Sequence, residues 1–310
     1  MNSMIEKAVV TINIPTYNQE KYIKKTINSA LNQTYDDIEI NISDDSSTDN
    51  TIQITNSISS KKLNVYKNNY NIGRVRNYQK LLNEYSNGKW VINLDGDDKF
   101  TNNSFIKYAI DCINSNISKY DITIFQGNHG NLEAVKQLKT AVVLDENSIL
   151  VNGLEYLLNY HKIKFFSHFA TIYNTKRAKE LNFYAFDSLN TDFNSIMKLA
   201  STGYIIVSKI EVGEWNYNAF SETNKIKNDV EFKKYFDAIL DIAEFIKPHI
   251  TEIQFHNFIK ELNLTTATYL FYLATSRNDI DFAKKMFHKF KKIDIRSLKQ
   301  FLKLIKISLK

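Results

Sequence analysis

Short apolar runs alternate with stretches of helical spacing along the first 125 residues. The strand-like runs, rich in Val and Ile, cover residues 9–14, 38–42, 63–66, 90–94 and 121–125. Between them, apolar spacing predicts helices near residues 20–32, 49–57, 73–85 and 104–114. Short β-branched runs joined by helices of this length are typical of βαβ units and a parallel sheet. This part of the chain is therefore predicted to be an open α/β nucleotide-binding fold with helices on both faces of the sheet.

The pattern changes along the rest of the chain. Between about 140 and 220 it is mixed, with strands predicted at 169–173 and 204–212 and helices at 175–181 and 192–199. After about residue 229 the spacing is helical throughout. We expect an α/β domain over residues 1–225 and a C-terminal helical appendage over residues 226–310.

Composition narrows the class of protein. The 310 residues are 43% hydrophobic and 24% charged, which is typical of a soluble globular chain. The single cysteine, Cys112, excludes an internal disulfide and leaves no ligand set for a cysteine-based zinc cluster. Since no apolar stretch approaches the roughly 20 residues that span a bilayer, we predict a cytoplasmic location.

The positive charge is concentrated at the C-terminal end. The net charge is +6, but residues 281–310 carry ten Lys or Arg and two Asp, or +8, which leaves −2 for residues 1–280. A nucleic-acid-binding surface would show Lys and Arg clustered across the fold. We therefore expect no nucleic-acid partner.

Polar residues follow three of the predicted strands. Strand one ends in Pro15-Thr16-Tyr17-Asn18, strand two runs into Asp44-Asp45-Ser46-Ser47, and the strand at 90–94 runs into Asp95-Gly96-Asp97-Asp98. In an open parallel sheet, ligands bind outside the carboxyl ends of the strands. Three crowded carboxylates repel one another unless a cation lies among them, and Mg²⁺ or Mn²⁺ commonly takes one or two carboxylates together with substrate phosphates. Gly96 would allow a close approach of backbone and phosphate.

Simpler interpretations fit the same residues one by one. An Asp/Gly cluster after a strand is also typical of a turn, Asp49 fits a helix cap, and Tyr17 fits a packed loop aromatic. The chain has no G-x-G-x-x-G after the first strand and no Walker A sequence, so dinucleotide and P-loop sites are not supported. The combination of three polar strand ends favours a binding site.

As a set, these motifs resemble family 2 glycosyltransferases of the GT-A fold. The resemblance rests on residues 12–18, Ser29 to Thr34, residues 39–49, and Leu94-Asp95-Gly96-Asp97-Asp98. It covers residues 8–115 strongly and extends to about 215 more weakly. It implies a transferase that takes a sugar from a nucleotide-diphosphate donor, with a divalent metal, Mn²⁺ or Mg²⁺, on the diphosphate.

The resemblance also implies roles for individual residues. Pro15, Thr16 and Tyr17 match the loop that lines the nucleoside pocket, and Asp45 matches an aspartate that hydrogen-bonds the base. An aromatic ring offers stacking, and a carboxylate accepts from the imide N–H of uracil.

In the aspartate motif, Asp95 matches the residue on the ribose side and Asp97 the metal ligand. Asp98 would assist the metal or hold a supporting bond. Arg76 matches a segment that faces the donor, where it could pair with the diphosphate or with Asp95; a plain surface arginine fits equally.

A transferase also needs a base that deprotonates the acceptor hydroxyl. The resemblance places an acidic residue, often in a Glu-Asp pair, at the start of a helix after the mixed segment, and Asp192 in Thr191-Asp192-Phe193 occupies that position. A helix cap is the alternative role for Asp192, and Asp187 is the nearest rival as base. One carboxylate base with no second positioned carboxylate favours single displacement with inversion.

Two other segments are candidates for contacts with substrates. His161 and His168 precede the strand at 169–173, where relatives carry acceptor-site residues, although a structural role is the more common one. Residues 215–223 resemble a mobile loop that closes over the donor.

The C-terminal residues suggest two kinds of partner. Five apolar residues share one helical face while four lysines gather on another: Leu298, Phe301, Leu302, Ile305, Leu309, and Lys299, Lys303, Lys306, Lys310. This pattern favours a helix on an anionic membrane surface, and a terminal helix docked on its own domain is the alternative. The broad apolar face of residues 232–242 could alternatively form a homo-oligomer.

Together these features predict a metal-dependent, inverting glycosyltransferase at the inner face of a membrane. The expected donor is a UDP-sugar, and the expected acceptor is a glycan, a lipid-linked intermediate or a cell-surface polymer. Two alternatives remain: a non-catalytic partner subunit that binds a sugar nucleotide, and a sugar nucleotidyltransferase. The latter would need a Gly-rich first loop, which Pro15-Thr16-Tyr17-Asn18 does not provide.

Overall fold

The computed structural model describes residues 10–186, 188–216, 229–276 and 279–289, and of residues 229–232, 286, 288 and 289 only the backbone. The chain folds into two compact units. The first comprises residues 1–157, 165–187 and 191–219, and the second comprises residues 158–164, 188–190 and 220–310. The domain boundary predicted between residues 225 and 226 lies outside the described residues.

A nine-stranded sheet forms the centre of the first unit. Its strands are β1 (Val10–Thr16), β2 (Ile38–Asp44), β3 (Leu63–Lys67), β4 (Trp90–Asn93), β6 (Ile122–Gln126), β7 (Val142–Val143), β8 (Ser148–Asn152), β9 (Thr171–Asn174) and β10 (Tyr204–Ser208). The spatial order is β3-β2-β1-β4-β9-β6-β10-β8-β7. Only β8 and β9 run against the other strands, so the sheet is mostly parallel, as predicted.

Helices connect most of these strands. In the first unit they are α1 (Ile23–Leu31), α2 (Thr51–Asn56), α3 (Arg74–Lys80), α4 (Phe105–Asn116), α5 (Leu132–Lys136), α6 (Gly153–Leu158, whose last residue belongs to the second unit), α8 (Thr175–Glu180) and α9 (Thr191–Ala200). A π-helical turn at Leu81–Tyr85 continues α3. The predicted helices are confirmed with bounds that shift by a few residues.

The two faces of the sheet differ in chemistry. On one face the apolar residues of β1, β2 and β4, among them Ile12, Ile40 and Ile92, pack with Ile23 and Ile27 of α1 and with Ile106, Ala109 and Ile110 of α4. On the other face most of the alternate residues are polar and buried, although Val91 of β4 is apolar. Asn13 donates to Ser86 at 2.9 Å, and Asn77 donates to the Ser43 carbonyl at 2.9 Å. Because hydrogen bonds satisfy these polar groups, they can be buried. Both faces of the sheet are therefore covered here, although apolar and polar residues alternate along the strands.

A second, two-stranded sheet lies in the same unit. β5 (Lys99–Phe100) follows the aspartate motif directly and pairs with β11 (Gly213–Glu214) in antiparallel register. Lys99 and Glu214 also form an ion pair at 2.9 Å. The segment around residue 214 is thereby attached next to the aspartate motif.

The second unit is helical where it is described. It contains α7 (Tyr160–Ile163), α10 (Asp229–Ile246), a 3-10 turn (Lys247–His249), α11 (Glu252–Ser276) and α12 (Ile280–Lys289). Tyr235, Leu270, Phe271, Ala274 and Ala283 form its apolar cluster. None of the described helices combines the length and the apolar character that crossing a bilayer requires. The predicted basic amphipathic helix at residues 298–309 lies outside the described part of the chain.

Candidate active site

The carboxyl ends of β1, β2 and β4 meet at one edge of the sheet, as the sequence predicts. β1 pairs in parallel with β2 on one side and with β4 on the other. The Asp45 N–H donates to the Thr16 carbonyl at 2.8 Å, and the Gly96 N–H donates to the Pro15 carbonyl at 3.2 Å. The three predicted loops are therefore joined by backbone hydrogen bonds into one surface.

The first two loops are also held together by side chains. Glu20 N–H donates to Asp49 at 3.1 Å, and Gln19 N–H donates to the Thr51 hydroxyl at 2.7 Å. Asp49 also accepts from the Thr51 N–H at 3.0 Å. Tyr17 lies in the first loop with 45% of its surface exposed, so its ring is accessible for stacking on a ligand.

Asp45 is buried, and most of its acceptor capacity is used. One oxygen, Oδ1, accepts from Asn68 Nδ2 and from the Ile72 N–H, both at 2.9 Å. The other, Oδ2, accepts from the Gly73 N–H at 2.9 Å. A carboxylate has about four lone-pair positions. Among the contacts of the described residues, one position on Oδ2 therefore remains for a ligand.

The aspartate motif lies in a crowded turn. Gly96 is required there, because a Cβ on this residue would lie 2.6 Å from the Thr16 hydroxyl oxygen. The group that approaches Gly96 closely in the structure is thus Thr16 of the first loop. The sequence analysis attributed the need for glycine to the approach of a phosphate. Thr26 on α1 donates to the carbonyls of Gly96 at 3.0 Å and Asp98 at 2.7 Å and so fixes the turn from below.

The three carboxylates of the motif have different surroundings. Asp95 and Asp97 are partly exposed, whereas Asp98 is buried and accepts from the Asn216 N–H at 2.9 Å. Burial, together with the charges of Asp95 and Asp97, raises the pKa of Asp98 to about 8, against the opposing effect of the Asn216 N–H. Asp98 thus holds the segment after β11 in place, and its predicted contribution to a metal site stays a prediction.

This electrostatic strain fits a cation. Like charges in a cleft are costly, and a divalent ion among them removes the cost. Among the described residues, no group of three or more His, Cys, Asp or Glu side chains is arranged to hold a metal ion. Mg²⁺ and Mn²⁺ sites on nucleotide-diphosphate substrates need only one or two protein carboxylates, because phosphates and water complete them.

A buried tyrosine, which the sequence analysis did not single out, connects the motif to the predicted base. Tyr78 on α3 donates its hydroxyl hydrogen to Asp95. Burial, the charge of Asp95 and, more weakly, the charge of Asp192 raise the pKa of Tyr78 well above 10, while Arg74 acts in the opposite direction. Tyr78 therefore stays protonated and lies within electrostatic range of both carboxylates.

Arg74 is the arginine that the structure places against Tyr78, and the predicted donor-facing role of Arg76 stays a prediction. The guanidinium carbon of Arg74 lies 5.6 Å from the centre of the Tyr78 ring. Arg76 is exposed on α3. Arg74 and Arg76 both lie on α3 but on different sides of the helix, and the sequence alone does not show which of the two sides faces Tyr78.

Asp192 lies in the first turn of α9, as predicted. Its Oδ1 accepts from the Phe193 N–H at 2.9 Å, and its Oδ2 lies 3.8 Å from Nδ1 of His168. Its side chain is 17% exposed, so it is accessible without being fully solvated. The rival Asp187 lies outside the described residues. Of the two candidate histidines, His168 is near Asp192, whereas His161 is on α7 in the second unit.

Two residues of the predicted closing loop are described. Trp215 is 59% exposed, and Asn216 is tied to Asp98. Residues 217–223 of that loop lie outside the described residues.

The arrangement of the mostly parallel sheet, with loops gathered at the carboxyl ends of its strands, is that of the GT-A class of fold. The family model for glycosyl transferase family 2 matches residues 11–181, more than half of the chain. The chain belongs to this family.

Relatives and solved structures agree with this assignment. The chain is 42% identical over 90 residues to "UDP-Glc:alpha-D-GlcNAc-diphosphoundecaprenol beta-1,3-glucosyltransferase WfaP" of Escherichia coli, a match that covers 29% of this chain and 36% of the relative. The matches span well under half the length of the curated relatives.

Two solved structures share the fold over nearly the whole chain. The first is S. aureus TarS 1-349 in complex with UDP-GlcNAc, with a TM-score of 0.65 at 19% identity, covering 96% of this chain and 79% of TarS. The second is the mannosyltransferase PcManGT from Pyrobaculum calidifontis in complex with GDP-Man and Mn²⁺, with a TM-score of 0.55 at 12% identity, covering 98% and 81%. At these identities the likeness shows the fold.

Proposed function

We propose that the protein transfers a sugar, with inversion, from a UDP-sugar to a hydroxyl group, with Asp192 as the base and a divalent metal on the diphosphate. The observation that carries this proposal is the position of Tyr78, which donates to Asp95 and whose ring packs 5.2 Å from the ring of His168, the neighbour of Asp192. These contacts support a single site that contains both the aspartate motif and the candidate base. The UDP-GlcNAc complex of TarS and the name of WfaP support a uridine nucleotide.

The remaining acceptor position of Asp45 supports uracil as the nucleobase of the donor. Uracil presents a single imide N–H, which one acceptor position on Oδ2 can satisfy. Guanine presents two adjacent donors, N1–H and the N2 amino group, which would need both oxygens of the carboxylate. Because Oδ1 already accepts from Asn68 and Ile72, we expect uridine or thymidine nucleotides to bind and guanosine nucleotides to be rejected.

The residues of the chain then divide the chemical work. Asp97, with Asp98 and Asp95 beside it, would hold the divalent ion, which supplies positive charge to the leaving diphosphate. Tyr17 stacks on the nucleoside base, Asp45 accepts its N–H, and Asp95 is oriented by Tyr78. Asp192 takes the proton of the attacking hydroxyl, and attack opposite the leaving nucleotide inverts the anomeric carbon.

The acceptor is proposed from the relatives. WfaP is named for a GlcNAc-diphosphoundecaprenol acceptor, and we propose a lipid-linked or cell-surface glycan as acceptor here. A membrane-facing role of the basic C-terminal residues would bring the enzyme to such an acceptor, and this role stays a prediction, as does oligomerisation through the C-terminal helices.

Nucleotide binding is tested by thermal unfolding with UDP, dTDP, CDP and GDP, each with and without Mn²⁺. A ligand at 100 times its dissociation constant adds roughly 2.7 kcal/mol, which raises the melting temperature by several degrees. We expect a metal-dependent rise with UDP that Asp97→Ala removes. The largest rise with GDP would contradict the role of Asp45, and no rise with any nucleotide would overturn the proposed function.

The roles of Asp192 and of inversion have their own test. Asp192→Asn should retain the UDP-dependent rise in melting temperature and lose turnover, since the amide cannot accept the proton. The configuration of the first-formed product, read by proton NMR of its anomeric signal, should be opposite to that of the donor. Turnover retained in Asp192→Asn would exclude Asp192 as the base.

A further inference from the structure

His168 lies between Asp192 and a buried polar cluster at the end of β4. Its Nε2 lies 3.1 Å from Asn93 Nδ2 and 3.1 Å from the Tyr184 hydroxyl. The edge of its ring packs against Tyr78, with 5.2 Å between ring centres. The imidazole is therefore held by three neighbours, and its remaining nitrogen, Nδ1, faces Asp192.

The cluster that holds His168 is internally bonded. The hydroxyls of Tyr184 and Tyr173 lie 2.9 Å apart, and Asn93 Nδ2 donates to them at 2.7 and 2.9 Å. Burial raises the pKa of Tyr173 to about 12 and the pKa of Tyr184 well above 10. Both hydroxyls therefore remain protonated and neutral. A buried cluster of neutral, hydrogen-bonded groups holds the neighbouring ring in place.

Asp192 faces this ring with the oxygen that has no backbone partner. The Phe193 N–H holds Oδ1 at 2.9 Å, while Oδ2 lies 3.8 Å from His168 Nδ1. The separation is too long for a hydrogen bond. A small rotation of the Asp192 side chain would close it, and the exposed fractions of 12% for His168 and 17% for Asp192 leave little water to compete.

We propose that His168 is a positioning residue for Asp192, an inference that rests on the proposed function. The Tyr184 hydroxyl, which accepts from Asn93, donates to Nε2, so Nδ1 carries the ring hydrogen and donates it to Oδ2. The carboxylate is then fixed with its free lone pairs toward the acceptor. As the acceptor oxygen bonds to the anomeric carbon, its proton passes to Asp192, and the bond to the diphosphate breaks with the electron pair leaving on the diphosphate.

Two isosteric substitutions separate the two sides of the imidazole. In His168→Gln the amide reaches the position of Nε2 and keeps the contacts with Asn93 and Tyr184, while the donor to Asp192 is lost. In His168→Asn the amide nitrogen reaches the position of Nδ1 and keeps that donor. The measurement is UDP release from UDP-glucose and UDP-N-acetylglucosamine, with water as acceptor.

We expect His168→Gln to lower kcat by about 10- to 100-fold, the effect of a misplaced catalytic group, with little change in the KM of the donor. His168→Asn should recover most of that loss. His256→Gln, on an exposed histidine of α11, is the matched control and should leave kcat unchanged. Equal losses in His168→Asn and His168→Gln, or a loss confined to KM, would overturn the proposal.

A second measurement does not depend on activity. Long-range proton–nitrogen NMR of the imidazole rings reports the surroundings of each ring nitrogen. Asp192→Asn should shift the Nδ1 signal of His168 and leave its Nε2 signal in place. An unchanged Nδ1 signal in Asp192→Asn would overturn the proposal, even if the wild-type enzyme is active. A shifted Nδ1 in a protein that releases UDP from no donor would support the pairing of the two residues while rejecting the proposed function.

Discussion

At the scale of single residues, one buried hydroxyl group holds an aspartate of the acidic turn. Tyr78 is fully buried, so its hydroxyl needs a partner, and Asp95 provides it. The ring also packs against Tyr184, with 5.2 Å between centres. The position of Asp95 is therefore set by the packing of α3 as well as by its own turn.

Replacing Tyr78 by Phe tests this link. The ring packing stays, but Asp95 loses a hydrogen bond to a charged group, which is worth about 1.5–3 kcal/mol when buried and less at this partly exposed carboxylate. We expect UDP affinity in the presence of Mn²⁺ to fall about tenfold or less, as measured by calorimetric titration.

The control for Tyr78→Phe is Tyr120→Phe. Tyr120 is partly buried, and its described side-chain contact is a ring contact with Tyr204. UDP affinity should be unchanged in this variant. Equal affinity in Tyr78→Phe and the wild type would show that Asp95 does not need the hydroxyl.

The sequence predicted the acidic residues of the site better than their supports. Asp95, Asp97 and Asp45 follow strands, so the period of the sheet places them at one edge without further information. Tyr78 and His168 depend on which side chains meet across segments distant in the chain, and no local pattern reports that. Asn93 carried a usable signal, because an amide within a buried strand needs partners.

At the scale of elements, helix α1 does more than cover the sheet. Its apolar residues Ile23 and Ile27 face the core, and Thr26 between them reaches the aspartate turn. One hydroxyl donates to two carbonyls of that turn. The helix that packs on the sheet thereby also helps to fix the position of the acidic turn.

Thr26→Val tests this support with almost no change in side-chain shape. Two buried carbonyls, those of Gly96 and Asp98, lose their donor, which costs about 1–3 kcal/mol. We expect a lower melting temperature and a weaker Mn²⁺-dependent response to UDP.

Thr55→Val is the matched control for Thr26→Val. Thr55 is equally buried, but its hydroxyl donates to the Thr51 carbonyl within α2. It should lower stability without reducing the Mn²⁺-dependent response to UDP. If both variants show the same Mn²⁺-dependent response to UDP, the Thr26 hydroxyl is not needed for the function of the turn.

Element prediction succeeded where helices join parallel strands and failed for short strands, most of which pair with partners distant in the chain. The alternation in β1, β2 and β4 was strong enough to predict the parallel core. β5, β7, β8 and β11 were missed, because three of them have two residues and β8 begins with a polar residue. Such strands are defined by their partners more than by their own sequence.

At the scale of the whole molecule, one buried histidine makes stability depend on pH. Burial lowers the pKa of His129 to about 4 in the folded protein, against 6.5 as its ordinary value. The unfolded chain therefore binds the proton more readily, and unfolding is favoured as the pH falls. The contribution of His129 is fully present above pH 6.5 and is lost between pH 6.5 and about 4.

His129→Gln should flatten this part of the pH dependence. The difference of about 2.5 pKa units corresponds to about 3 kcal/mol. Denaturant unfolding at pH 7 and at pH 4.5 should show a smaller loss of stability in the variant than in the wild type. His256→Gln should keep the dependence of the wild type, since its side chain is 76% exposed. Parallel losses in His129→Gln and the wild type would contradict the buried neutral state.

The strand order has a consequence for how the protein is made. β4 and β6 do not pair with each other, because β9, which comes almost 50 residues after β6, lies between them. On the ribosome, residues 10–126 supply one four-stranded piece of sheet, β3-β2-β1-β4, and the separate strand β6. They can join only when residues 171–174 have left the exit tunnel and inserted between them. The β4 strand, which leads into the acidic turn, thus remains an unpaired edge of the sheet until β9 is available.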